Sequence, residues 1–231
     1  MTRILDIILS SAALVLFLPF GLVIALVLRL TGEGEVFYVQ ERVGKGGRHF
    51  GLIKFATMLK NSPSIGTGDV TVKGDPRVLP VGRFLRKTKL NEVPQLINIL
   101  AGDMSVVGPR PQTPKNFDFF PPEGKQVILS MRPGLTGIGS IVFRDEESIV
   151  GRLGLSVESC YRQVIGPYKA ELEAWYKERQ NVVTYFLLIA VTAWVIIRPG
   201  SEIYRWMWPS LSPPPDALRP NTIPVAAFYH Y

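Results

Sequence analysis

From Ile4 to Leu28 the chain is apolar except for Asp6, Ser10 and Ser11, and Arg29 closes the run. A bilayer core takes about 20 apolar residues in a helix, so this segment reads as membrane-embedded and restricts what the rest can be. A cleaved signal peptide would have a shorter apolar core, a more basic entry than the single Arg3 and a small-residue cleavage site, so cleavage is not expected. Within the run stands Leu18-Pro19. Proline removes a backbone donor and clashes with the preceding turn, which predicts a kink or break there. A break would return the helix to the side it entered from, with Arg3 and Arg29 on one aqueous face; a straight span would put Met1 outside. Under both paths Arg42, Lys45, Arg48, Lys54 and Lys60 place the following domain in the cytosol, on the cytoplasmic face of the membrane.

A length of 231 residues suits one core with appendages. We divide it into a membrane helix at 1–30, a domain at 31–200 and a tail at 201–231. Twenty-six Lys and Arg against 19 Asp and Glu give +7, which calls for an anionic partner: nucleic acid, a phosphorylated small molecule or an acidic lipid surface. Cys160 is the single cysteine, which excludes an internal disulfide and a cysteine-rich zinc site. His49 and His230 are too few and too far apart for a histidine metal cluster.

Val36 to Val43 and Arg48 to Phe55 are β-compatible and separated by Gly44-Lys45-Gly46-Gly47, a hairpin turn rather than a phosphate loop. Asn61 to Asp69 reads as an exposed loop. Helices are expected over Val81–Thr88 and Asn91–Leu100, a strand over Met104–Val107 and another helix over Tyr168–Gln180. Val182 to Ile197 is a second apolar run, too short for a comfortable span; we read it as a helix lying at the interface or packed on the core rather than a second crossing, with Trp175, Tyr185 and Trp194 suited to a headgroup boundary. The tail reads as irregular. The expected fold is therefore a small, mostly helical α/β domain with a short β-hairpin, a membrane-embedded N-terminal helix and a C-terminal interfacial helix.

Five cations lie between residues 77 and 89, and Arg83, Arg86 and Lys87 share one helical face. Asn91 reads as the N-cap of the next helix, Pro94 suits its first turn, and Gly102 stops it. Its positive end would then point at Asn91 and Glu92 and favour a bound anion. Arg110 lies between Pro109 and Pro111, which restrict its backbone and preorganise its guanidinium for a phosphate.

These stretches, with Phe37-Tyr38-Val39-Gln40-Glu41-Arg42-Val43-Gly44, Lys54-Phe55, Asp75-Pro76-Arg77-Val78, Gly82-Arg83-Phe84-Leu85-Arg86-Lys87-Thr88, Glu92-Val93-Pro94-Gln95-Leu96, Gly102-Asp103-Met104-Ser105, Gly108-Pro109-Arg110-Pro111 and Arg132-Pro133-Gly134-Leu135-Thr136-Gly137, give a resemblance from Arg3 to about Arg198. The chain resembles the monotopic polyprenyl-phosphate phosphoglycosyl transferases, the bacterial sugar transferases. That resemblance implies a re-entrant helix broken at a Ser-Pro pair, magnesium, a UDP-sugar donor and a polyprenyl phosphate such as undecaprenyl phosphate in membrane lipid. It also implies transfer of a sugar 1-phosphate to that lipid with release of UMP, the first membrane step of exopolysaccharide, O-antigen or capsule assembly. In the family the Asp of an Asp-Glu pair attacks the sugar-bearing phosphate, and the lipid phosphate resolves the phosphosugar enzyme.

Here the pair reads Asn91-Glu92, Leu18 stands in place of the Ser and Ala56 in place of a common Arg. An amide is a poor nucleophile, which leaves three readings open: Glu92 as nucleophile, Glu92 as base in a direct transfer, or a catalytically silent homologue. Asn91 and Glu92 are the candidate reacting pair, with Glu92 the expected magnesium ligand. Lys54, Arg77, Arg86, Lys87, Arg110 and Arg132 are the candidate phosphate ligands. Asp103 reads as a turn residue, Asp145-Glu146-Glu147 as a solvated acidic run, and Ser140 and Thr136 lack a histidine partner. A membrane-anchored scaffold holding either substrate is the rival from another class. A nucleic-acid-binding domain has no stacking motif to support it.

Overall fold

A computed structural model describes residues 2–65, 74–144, 146–153 and 155–218. It is mostly helical, with two small two-stranded sheets. In chain order the elements are α1 (Thr2–Thr31), β1 (Phe37–Val43), β2 (His49–Phe55), α2 (Pro80–Lys87), α3 (Gln95–Ala101), β3 (Ser105–Val107), α4 (Pro114–Phe117), α5 (Pro122–Leu129), β4 (Gly134–Thr136), α6 (Ile138–Val142), α7 (Glu146–Leu153), α8 (Val157–Cys160), α9 (Gly166–Glu178), α10 (Val182–Ile197) and α11 (Ile203–Met207).

α1 is one helix of 30 residues with Pro19 inside it: of the kink or break expected at Leu18-Pro19, a break does not interrupt it. The reason lies in what holds the two halves. Before the proline, Asp6 is 1% exposed and accepts hydrogen bonds from Ser105 Oγ, Val106 N and Tyr185 Oη, each at 2.9 Å. Arg3 donates to the carbonyls of Ile99 and Leu100 in the last turn of α3, where helix carbonyls run short of intrahelical partners. After the proline, Leu28 packs with Phe55 and Leu85, and Ile24 leans on the same cluster, as does Phe17 just before the proline. Both ends of α1 are thus anchored to one domain. Its other face exposes Val15, Leu16, Leu18, Phe20, Leu22, Val23, Leu26 and Leu30.

The hairpin forms as expected, with Phe37 opposite Phe55 and Val43 opposite His49. Gly46 and Gly47 take φ of 69° and 80°, so these glycines serve the turn. β3 and β4 pair in parallel, Ser105 with Gly134 and Val107 with Thr136. Here the backbones approach so closely that a Cβ on Gly134 would lie 2.1 Å from Gly108 N, which explains glycine in both motifs. That junction fixes the base of the Pro109-Arg110-Pro111 turn.

Three further expectations change. α3 starts at Gln95, not Asn91; Leu90–Glu92 is a separate 3-10 turn entered through Lys89 at φ 61°. Trp175 and Tyr185 are core residues, not headgroup anchors: Trp175 stacks edge-on against Trp208 and donates to Ser210, and Tyr185 donates to Asp6. The tail is ordered through residue 218, with α11, a buried Leu211 and a hydrogen bond from Tyr168 Oη to the Ser212 carbonyl closing it onto the core. The expected loop turns as a short 3-10 segment at Ser62–Ser64; its residues 66–69, like tail residues 219–231, lie outside the described part.

Candidate active site

A cavity of about 1330 Å³ lies between the hairpin, α2, the Leu90–Glu92 turn, α6, α7 and α10. Glu92 and Arg110 meet in it. Arg110 Nη2 donates to Glu92 Oε1 at 2.9 Å and Nη1 to Oε2 at 3.4 Å. Burial alone would raise the Glu92 carboxyl, but the charge and hydrogen bonds of Arg110, with Lys89 and Lys54 behind, outweigh it and hold the pKa at about 2. Glu92 in turn raises the Arg110 guanidinium. Arg110 is held from its own backbone as well, because Gln112 Nε2 donates to its carbonyl and Arg42 Nη1 donates to the Pro111 carbonyl, both at 2.9 Å.

Lys54, Arg86 and Lys87 line the same cavity, joined by Arg42, Arg83, Lys89, Arg144 and Lys169. Lys54 lies half-buried; burial, then the Arg42 charge, lower its ammonium well below 10.5, against a smaller opposing pull from Glu92. Cations outnumber carboxylates around Glu92, a field suited to a multiply charged anion.

Among the described residues, three buried polar atoms in the cavity wall have no hydrogen-bond partner: Asn91 Oδ1, Ser140 Oγ and Arg144 Nη1. Buried polar groups are nearly always paired, so a wall with three orphans is shaped for a polar ligand. The Asn91 amide does not cap a helix. Nor does a helix end supply the anion field expected there, since the amides of Glu92 and Val93 are spent on the Lys89 and Leu90 carbonyls. Side-chain cations supply that field instead.

Two sequence candidates fall outside the cavity. Arg77 is 4% exposed and locked by Asp75, with Nη2 to Oδ2 at 2.6 Å and Nη1 to the Ser62 and Ile65 carbonyls; it braces a loop. Arg132 donates to the Gly102 carbonyl at 3.1 Å and borders a separate hollow with Lys45, Arg48, His49 and Asp103.

Glu146 is the opposite case. Expected in a solvated run, it turns inward, ion-paired to a buried Lys169 and hydrogen-bonded to Tyr161. Tyr161 opens a π-helical turn, Tyr161–Ile165, a distortion that aims its ring into the cavity. Glu146 also adds its field to that of Glu92 at Arg110. Periodicity could not reveal this, because the partners are 15 and 23 residues away.

Among the described residues no three His, Cys, Asp or Glu side chains cluster as a metal site. Glu92 and the orphan Asn91 Oδ1 are nonetheless adjacent hard oxygen donors. Magnesium needs few protein oxygens when phosphates complete its shell, so the pair fits that ion.

The bacterial sugar transferase family model matches residues 1–199. The exopolysaccharide production protein ExoY of Rhizobium meliloti is 34% identical over 170 residues, 68% of this chain and 75% of that protein. The UDP-N-acetylgalactosamine-undecaprenyl-phosphate N-acetylgalactosaminephosphotransferase of Aeromonas hydrophila is 39% identical over 61% of this chain and 33% of its own length. The UDP-glucose:undecaprenyl-phosphate glucose-1-phosphate transferase of Caulobacter vibrioides is 36% identical over 60% of this chain and 52% of its own. The match therefore spans a third to a half of these two longer transferases.

Proposed function

The chain belongs to the bacterial sugar transferase family, and from this we propose that it moves a sugar 1-phosphate from a UDP-sugar to undecaprenyl phosphate, releasing UMP. The observation that carries the reading is the Glu92–Arg110 pair inside a cation-lined cavity with three orphaned polar atoms. The cations would take the diphosphate, and Arg110 would orient Glu92 beside it.

Of the roles open to Glu92 we take nucleophile: Arg110 keeps its carboxyl ionised at working pH, the form that attacks. Its Oε attacks the sugar-bearing phosphorus; the bond to the bridging oxygen breaks, and UMP leaves with that electron pair. An oxygen of the lipid phosphate then attacks the same phosphorus and expels Glu92, whose low basicity makes it a good leaving group. Asn91, neutral and weakly nucleophilic, serves as an oxygen donor through Oδ1. Magnesium would be held by Glu92 and Asn91, and when bound it neutralises diphosphate charge.

For membrane placement we rely on the exposed apolar faces of α1 and α10, the latter carrying Val183, Phe186, Trp194 and Ile197. Because both ends of α1 are tied to the domain, it rests in the cytoplasmic leaflet of the inner membrane rather than leading away through it. The Asn91 amide favours a second reading, a homologue that binds without turnover. Assaying UMP release from a panel of UDP-sugars with undecaprenyl phosphate decides: release supports transfer, whereas UDP-sugar binding without release selects the binding protein.

A further inference from the structure

α10 presents three different faces. Tyr185, Leu188, Val191 and Val195 are buried in the core. Val183, Phe186, Trp194 and Ile197 face outward and are 44% to 73% exposed. Between these stripes, Ile189, Thr192, Ala193 and Ile196 follow i, i+3, i+4, i+7 spacing, the pattern of a single helix face; all four line the cavity that holds Glu92, Ile189 and Thr192 half-buried and Ala193 and Ile196 exposed at its open side. Thr192 is tied to the sheet, its hydroxyl 2.6 Å from that of Thr136, which fixes the rotation of α10 about its axis.

The opposite wall of this lobe is also apolar. Val93 and Leu96 follow Glu92 directly in the chain, and Val106 and Leu135 extend the wall from β3 and β4 toward Ile189. The lining of this one cavity is thus of two kinds: polar and charged residues that include Glu92, Arg110 and the orphaned atoms, and apolar residues that include Val93, Leu96, Leu135 and three residues of α10. The diphosphate and hydroxyls of a nucleotide sugar draw on the polar lining, whereas a ligand with an anionic head and a hydrocarbon tail matches both kinds of lining at once. The outward face of α10 is apolar too, so this helix separates the cavity from the surface through which such a tail would arrive.

We propose that the lobe between Val93, Leu96, Leu135 and the Ile189–Ala193–Ile196 face of α10 is the seat of the first isoprene units of the prenyl-phosphate acceptor, with the lipid phosphate delivered to Glu92. This rests on the transfer reading above and adds where the acceptor enters. The Ile189–Ile196 face runs about 10 Å along the helix, at 1.5 Å per residue. Ala193 leaves the middle of that face open, so the bulk of residue 193 controls entry.

The direct test is photolabelling of the full chain in detergent micelles with a prenyl phosphate bearing a diazirine on its second isoprene unit, with adducts mapped by peptide mass spectrometry. Adducts on Ile189, Ala193 or Ile196 that unlabelled undecaprenyl phosphate suppresses are expected. Suppressible adducts confined to Phe37–Val39 of the hairpin or to the outward face of α10, or none at all, overturn the proposal. Kinetics give a second readout: Ala193→Trp should raise KM for undecaprenyl phosphate about tenfold or more while UDP-sugar affinity by calorimetry moves less than about twofold. An unchanged KM for the lipid overturns it. If the α10 adducts form but the wild type releases no UMP from any UDP-sugar, the transfer reading fails and the lipid seat stands.

Discussion

Arg110 grips Glu92 through both guanidinium nitrogens, at 2.9 and 3.4 Å, across 18 residues of sequence. The carboxylate is nearly enclosed and the guanidinium about a third exposed, so the pair is intermediate between buried and surface ion pairs.

Arg110→Ala should therefore cost about 1–3 kcal/mol in urea unfolding, between exposed and fully buried pairs. The sign with pH follows from the lowered folded-state carboxyl. The pair's contribution is complete above the ordinary glutamate value of 4.5 and is lost as pH falls toward about 2. Wild type and Arg110→Ala should accordingly converge in stability in acid.

Arg77→Ala should behave differently. It takes the guanidinium away from a buried carboxylate, Asp75, and should cost about 3–5 kcal/mol. UDP-sugar affinity of the protein that remains folded should be unchanged, measured by calorimetry at low temperature. A specific loss of affinity would return Arg77 to the binding site.

Lys54 must be charged to hold phosphate, and its ammonium titrates well below 10.5. UDP-sugar affinity should fall as pH rises, at values where an ordinary lysine is still protonated. Lys54→Arg should flatten that profile, because a guanidinium keeps its proton.

Glu173 is 3% exposed, burial raises its carboxyl to about 8, and Oε2 has no partner. A raised carboxyl favours the fold fully below 4.5, and the advantage is lost as pH climbs to about 8. Glu173→Gln should remove this dependence and, at pH 8 to 9, stabilise the protein on the order of a few kcal/mol, read as a rise in Tm. A parallel pH profile for both proteins would contradict it.

Local signals were legible wherever one segment settles its own structure: the hairpin turn with its glycines, the full extent of α10 and the proline-flanked Arg110. Long-range pairings were not. Asp6 looked like a blemish in an apolar run, yet it is the bond between α1, β3 and α10; a lone charge in such a segment was the only hint. Arg77 and Arg110 looked alike as candidates, and what separates them is a partner, Asp75 or Glu92, chosen by folding. Glu146 was hidden because its run gives no sign that Lys169 and Tyr161 approach it.

The central claim is that Glu92 reacts inside the cavity Arg110 frames. Wild type and Glu92→Gln should be compared for UMP release from a UDP-sugar the wild type accepts, with undecaprenyl phosphate and magnesium present, alongside UDP-sugar binding. The account predicts a fall of about 100-fold or more in release with binding retained. Undiminished release by Glu92→Gln would contradict it.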